Sequence, residues 1–100
     1  MGDKIVVRLD PDLRDLIPGF LANRQRDIAT VRELVGTRDY AAIRIIGHSM
    51  KGAGGGYGFD PITDFGGAIE TAALDRDGRK ILETVTALAD YLARIEPAFD

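Results

Sequence analysis

Residues 43–54 read Ile43-Arg44-Ile45-Ile46-Gly47-His48-Ser49-Met50-Lys51-Gly52-Ala53-Gly54. At about 100° per residue, Ile43, Ile46, Met50 and Gly54 share one side of a helix and form a buried stripe. His48, the single histidine of the chain, projects from the opposite side toward solvent. Arg44 and Ile45 before it, and Lys51 and Gly52 after it, stand at spacings that touch on a helical surface. Thr37 or Asp39 opens this helix, and the glycines between Gly52 and Gly58 lower helix propensity enough to end it.

The helical period continues on both sides. Upstream, Asp10-Pro11-Asp12 offers a carboxylate cap, a proline at the first helical position and an acid near the positive helix end. A short amphipathic turn with Leu13, Leu16 and Ile17 follows, and Pro18 kinks or restarts it. Phe20, Leu21, Ile28, Val31, Leu34 and Val35 then recur at helical spacing up to Gly36, a C-terminal stop. Downstream, Asp60-Pro61 repeats the Asp-Pro start, with Ile62, Phe65, Ile69, Ala72 and Ala73 inside. Asp75-Arg76-Asp77-Gly78 is a turn by composition. A last helix carries Ile81, Val85, Leu88, Leu92 and Ile95 until Pro97 stops it. Ile5-Val6-Val7 has strand character but no evident partner, so residues 1–9 are expected to be an extended lead-in. The short connections predict an all-α fold over residues 10–100: an up-and-down antiparallel four-helix bundle with a short extra N-terminal helix.

Composition narrows the function. One hundred residues make one domain, and 45% hydrophobic with 29% charged residues is a globular balance. No cysteine is present, so packing must supply the stability, and one histidine with scattered carboxylates is a poor zinc ligand set. A net charge of −3 argues against nucleic acid, whose phosphates demand a basic surface. No apolar run approaches the ~20 residues that cross a bilayer. The N-terminus lacks the layout of a signal peptide, so the chain is expected to be cytoplasmic, either whole or cut from a longer signalling protein.

The surroundings of His48 are unusual for an idle surface histidine. Ala41, Ile45, Gly52 and Gly55 form a small, weakly polar strip in place of the usual Lys/Glu cover. A helical glycine gives up about 1 kcal/mol relative to alanine, and Gly52 has a reason in access, since a bare backbone lets a partner approach the ring. Lys51 and Arg44 offer positive charge to an anion on the ring nitrogen. Arg44 alone is a generic basic surface residue, and Tyr57 and Phe59 fit a core role better than a ligand contact.

His48-Ser49-Met50-Lys51-Gly52, with Gly58 ten residues after the histidine, resembles the signature of histidine phosphotransfer domains, His-x-apolar-Lys-Gly followed by small residues up to a glycine. The Gly56-Tyr57-Gly58-Phe59 ending is similar also to the phosphotransfer domain of chemotaxis kinases, and Ile69-Glu70 matches an apolar-Glu pair common on the family's next helix. Gly66-Gly67 departs from the chemotaxis branch, where larger or polar residues often stand near the histidine.

The resemblance implies a phosphorelay intermediate in two-component signalling. His48 would take a phosphoryl group, through Nε2, from a receiver-domain aspartyl phosphate or a histidine kinase, and pass it to another receiver. Lys51 would steady the phosphate, and Glu70 would accept the Nδ1 proton and orient the ring. Ala41, Arg44, Ile45, Gly52 and Gly55 would dock the partner. The chain would be a monomeric carrier with no cofactor or metal of its own and no ATP-binding kinase domain, and Mg²⁺ would sit on the receiver. Another class remains open: a non-phosphorylated helical adaptor binding a receiver or kinase through the same face.

Nucleotide and hydrolase motifs fail. Lys51 precedes the glycines where a Walker loop places lysine after them, and no strand leads into the run. Ser49 is adjacent to His48 and points elsewhere on the helix, with no nucleophile elbow.

Overall fold

Asp39 and Asp77 start their helices in the same way. Asp39 accepts from the Ala42 amide at 3.1 Å and Asp77 from the Lys80 amide at 3.0 Å. Each cap satisfies an amide that the first helical turn leaves without a partner, worth about 1 kcal/mol. In a computed structural model, which describes residues 2–99, four helices follow: α1 (Ile17–Gly36), α2 (Tyr40–Gly54), α3 (Asp60–Leu74) and α4 (Gly78–Arg94). Pro18 and Pro61 both lie in a first turn, where a missing N–H has no consequence. Pro18 therefore restarts the chain as α1, and the short N-terminal helix shrinks to a single 3-10 turn, Pro11–Leu13.

The connections after α1 and α3 are built alike. The Asp39 amide bonds the Leu34 carbonyl and the Arg38 amide that of Val35; Asp77 and Arg76 repeat this with Ala72 and Ala73. That is a Schellman closure, with the left-handed position filled by Arg38 (φ 58°) and Arg76 (φ 55°) instead of glycine. The Arg76 guanidinium lies over the Tyr40 ring, 4 residues after the facing turn begins at Gly36, and so links the two connections at 5.3 Å.

The core is apolar and continuous. Ile17, Phe20, Ile28 and Val31 of α1 meet Ile43 and Met50 of α2, Ile62 and Ile69 of α3, and Ile81, Val85 and Leu88 of α4. Phe59, fully buried, closes one end, and Phe20 stacks on both Tyr57 and Phe59 with centroids 4.3 and 5.6 Å apart. Arg24 of α1 is half-buried: it pairs with Asp27 at 2.8 Å and lies over the Phe20 ring.

The N-terminal segment needs correction. Ile5–Leu9 is a strand, β1, and it has a partner: Ile95–Phe99, β2, pairs with it in parallel from Ile5↔Ile95 to Leu9↔Phe99. The all-α expectation therefore misses a two-stranded ribbon. The cause lies at the end of α4, which stops at Arg94; Ile95 is already extended (φ −71°, ψ 145°) and belongs to β2 instead of the helix. Pro97, opposite Val7 in the register, has no N–H to donate to the ladder, which a strand at the edge of a two-stranded ribbon tolerates. Ile5, Val7 and Leu9 turn inward, Leu9 to full burial, while Val6 stays exposed.

Candidate functional site

The site sits where α2 and α3 approach most closely, and glycines make the approach possible. A Cβ on Gly66 would stand 2.3 Å from the Lys51 amide nitrogen and 2.8 Å from the Gly47 carbonyl oxygen. One on Gly47 would stand 2.7 Å from the Glu70 amide nitrogen. These are backbone atoms that cannot yield, so any side chain at either position forces the helices apart. The crossing places the 47–51 turn of α2 directly against the 66–70 turn of α3.

His48, Lys51 and Glu70 converge there. His48 Nδ1 lies 2.8 Å from Glu70 Oε2, and Lys51 Nζ lies 3.5 Å from Oε1 of the same carboxylate. The imidazole side chain is 73% exposed, the Lys51 side chain 51%, and Glu70 only 17%, because it lies under the other two.

The hydrogen bond to His48 holds the Glu70 carboxyl below its ordinary value of 4.5; partial desolvation opposes this, and the charges of His48 and Lys51 add to the lowering. Glu70 is therefore an ionised acceptor at neutral pH. A carboxylate can only accept, so Nδ1 carries the hydrogen and donates it. In the neutral ring the lone pair then lies on Nε2, across from Nδ1, and Nε2 has no partner among the described residues. A neutral imidazole held in this tautomer, with one nitrogen tethered and the other open, can act as a nucleophile toward an incoming electrophile.

The remaining predicted positions divide. Ala41, Ile45, Gly52 and Gly55 are exposed, Ile45 at 64%, and nothing stands within 4 Å of where a Gly52 side chain would begin. Arg44 is exposed and makes no ion pair among the described residues, so it is not drawn into the His48–Glu70–Lys51 group. Tyr57 and Phe59 belong to the aromatic stack and not to the site.

Two features escaped the sequence reading. Leu74, one turn beyond Glu70 on α3, is 64% exposed, as an apolar neighbour of the site. Gly66, noted from the sequence only as a departure from the chemotaxis branch, is the contact that brings Glu70 within reach of the ring. The available signal was Gly47 itself, a buried small residue one position before the histidine, which announces a close neighbour.

Among the described residues no three metal-ligating side chains cluster, and no helix is long and apolar enough to cross a membrane. No curated protein and no solved structure matches the chain. The family model of the Hpt domain, however, matches residues 15–98, from the turn before α1 through β2. The chain therefore belongs to the Hpt domain family, the histidine phosphotransfer modules of two-component phosphorelays.

Proposed function

We propose that His48 is the phosphoryl acceptor, receiving the group from a receiver-domain aspartyl phosphate or a histidine kinase and handing it to another receiver. The observation that carries this reading is the exposed imidazole with Nδ1 fixed by Glu70 at 2.8 Å, which leaves Nε2 as the reacting atom. In the forward step the Nε2 lone pair forms the N–P bond. The P–O bond to the donor aspartate breaks, and the aspartate leaves with the electron pair as a carboxylate. Nδ1 still holds its hydrogen, so the ring takes on positive charge, which the Glu70 carboxylate opposes. Reversal against a second receiver's aspartate regenerates the neutral ring.

Lys51 supplies a cation beside the ring for the phosphoryl oxygens. Ala41, Arg44, Ile45, Gly52 and Gly55 form the docking surface, where small side chains leave the imidazole open to a partner's active site. Mg²⁺ belongs to the receiver. The same reading makes the domain a cytoplasmic monomer whose helices run antiparallel, up and down; the short connections and the Arg76–Tyr40 contact support that order.

The test is incorporation of acid-labile, alkali-stable phosphate from a phosphorylated receiver, in wild type and in His48→Gln. Labelling should disappear in the variant, with stability within about 0.5 kcal/mol of wild type, as for other exposed substitutions. Undiminished labelling would remove His48 from the role.

A further inference from the structure

Two adjacent glycines stand on α3, and packing accounts for only the first. Gly66 lies against the backbone of α2, where no side chain fits. Gly67 does not: a Cβ there would meet a single neighbour within 4 Å, Lys51 Cδ, at 3.7 Å. That is an ordinary contact, so alanine fits at 67 and would favour the helix by about 1 kcal/mol. Neither helix crossing nor backbone conformation calls for glycine.

What the bare position does face is the stem of Lys51. The α2 backbone at Lys51 rests on Gly66, so the lysine side chain leaves its helix at the α3 surface. It passes Gly67 and ends 3.5 Å from Glu70, three residues further along α3.

We infer that Gly67 is a positioning residue for phosphoryl transfer, because the space above it is where the Lys51 stem lies when the ammonium is held beside His48. The inference rests on His48 being the acceptor. A side chain with γ and δ atoms at position 67 would occupy that space and turn Lys51 toward water. The His48–Glu70 bond uses the other carboxylate oxygen, Oε2, and would persist. The lysine would be lost from the site while the ring kept its orientation.

A receiver domain charged with acetyl phosphate serves as donor for wild type, Gly67→Ala, Gly67→Gln, Gly67→Leu, Lys51→Ala and the Gly67→Gln/Lys51→Ala double variant. Gly67→Gln and Gly67→Leu should slow transfer by the same factor as Lys51→Ala, the double variant should be no slower than either parent, and Gly67→Ala should transfer at the wild-type rate. ¹⁵N spectra of the ring should show the Nδ1–H tautomer retained throughout, which also reports that each variant is folded. Wild-type rates in both bulky variants, or a double variant slowed by the product of the single effects, would overturn the role of Gly67 alone. A wild-type chain that takes no phosphate would overturn the acceptor assignment, and the glycine's role with it.

Discussion

Nδ1 of His48 and Oε2 of Glu70 lie 2.8 Å apart although 22 positions separate them in the chain. The bond crosses from one helix to the next, so the orientation of the ring depends on how α2 and α3 are packed and not on α2 alone.

Replacing the carboxylate by an amide removes that orientation. Gln at position 70 can present either an oxygen or an N–H to Nδ1, so both ring tautomers become populated. Glu70→Gln should slow phosphoryl transfer about tenfold, the lower end of what is lost when a residue orienting a working histidine is removed. Imidazole ¹⁵N shifts check the cause: a tautomer ratio equal to wild type would show that Glu70 does not set it.

The same carboxylate predicts an acid limb. Its pKa in the folded chain is depressed below 4.5, chiefly by the bond to His48, and the unfolded chain has no such bond. Its contribution to stability is therefore fully present above about pH 4.5 and is lost as pH falls through the lower folded-state value. Urea unfolding of wild type and Glu70→Gln should give a difference that shrinks as pH falls below that window. A difference that grows on acidification would reverse the assignment.

Two glycine substitutions should have opposite signs. Gly66→Ala puts a methyl group 2.3 Å from the Lys51 amide nitrogen, and forcing α3 away from α2 should destabilise by about 1–3 kcal/mol. Gly52→Ala meets nothing within 4 Å on an exposed helical position, and should stabilise by up to about 1 kcal/mol. Denaturant midpoints at constant slope distinguish the two.

The ribbon should behave as part of the core on one face only. Leu9 is buried and a Cβ on Gly58 would stand 2.7 Å from its Cδ2, so Leu9→Ala should cost about 2–4 kcal/mol. Val6 points outward from the same strand, and Val6→Ala should stay within about 0.5 kcal/mol. Equal effects would mean that the ribbon is not seated on the bundle.

The helices were legible because their signals are local. Asp39, one of two candidate starts, caps α2 by side-chain chemistry, and the stripe of Ile43 and Met50 follows from a period of 3.6 residues. The ribbon was not. Ile95 continues the apolar period of α4 and Pro97 reads as a helix stop, so only the distant strand at Ile5–Leu9 shows that these residues are extended. At the site, the spacing of His48 and Lys51 could be read from one helix. The place of Glu70 came from family resemblance, since no single-helix pattern links residues on two elements. The packing role of Gly66 was hidden for the same reason: a close approach becomes visible only once the facing backbone is known.

Because β1 and β2 run in the same direction, the chain enters the ribbon at Ile5 beside Ile95 and leaves it at Phe99 beside Leu9. Entry and exit lie at opposite tips, separated by about 13 Å for a five-residue strand. A fluorophore or fused domain attached ahead of β1 would depart one way and one attached behind β2 the other, so double labelling need not crowd either probe. Splicing the two ends into a circle would take a connector that doubles back along the whole ribbon, where a two-residue hairpin would suffice for antiparallel strands.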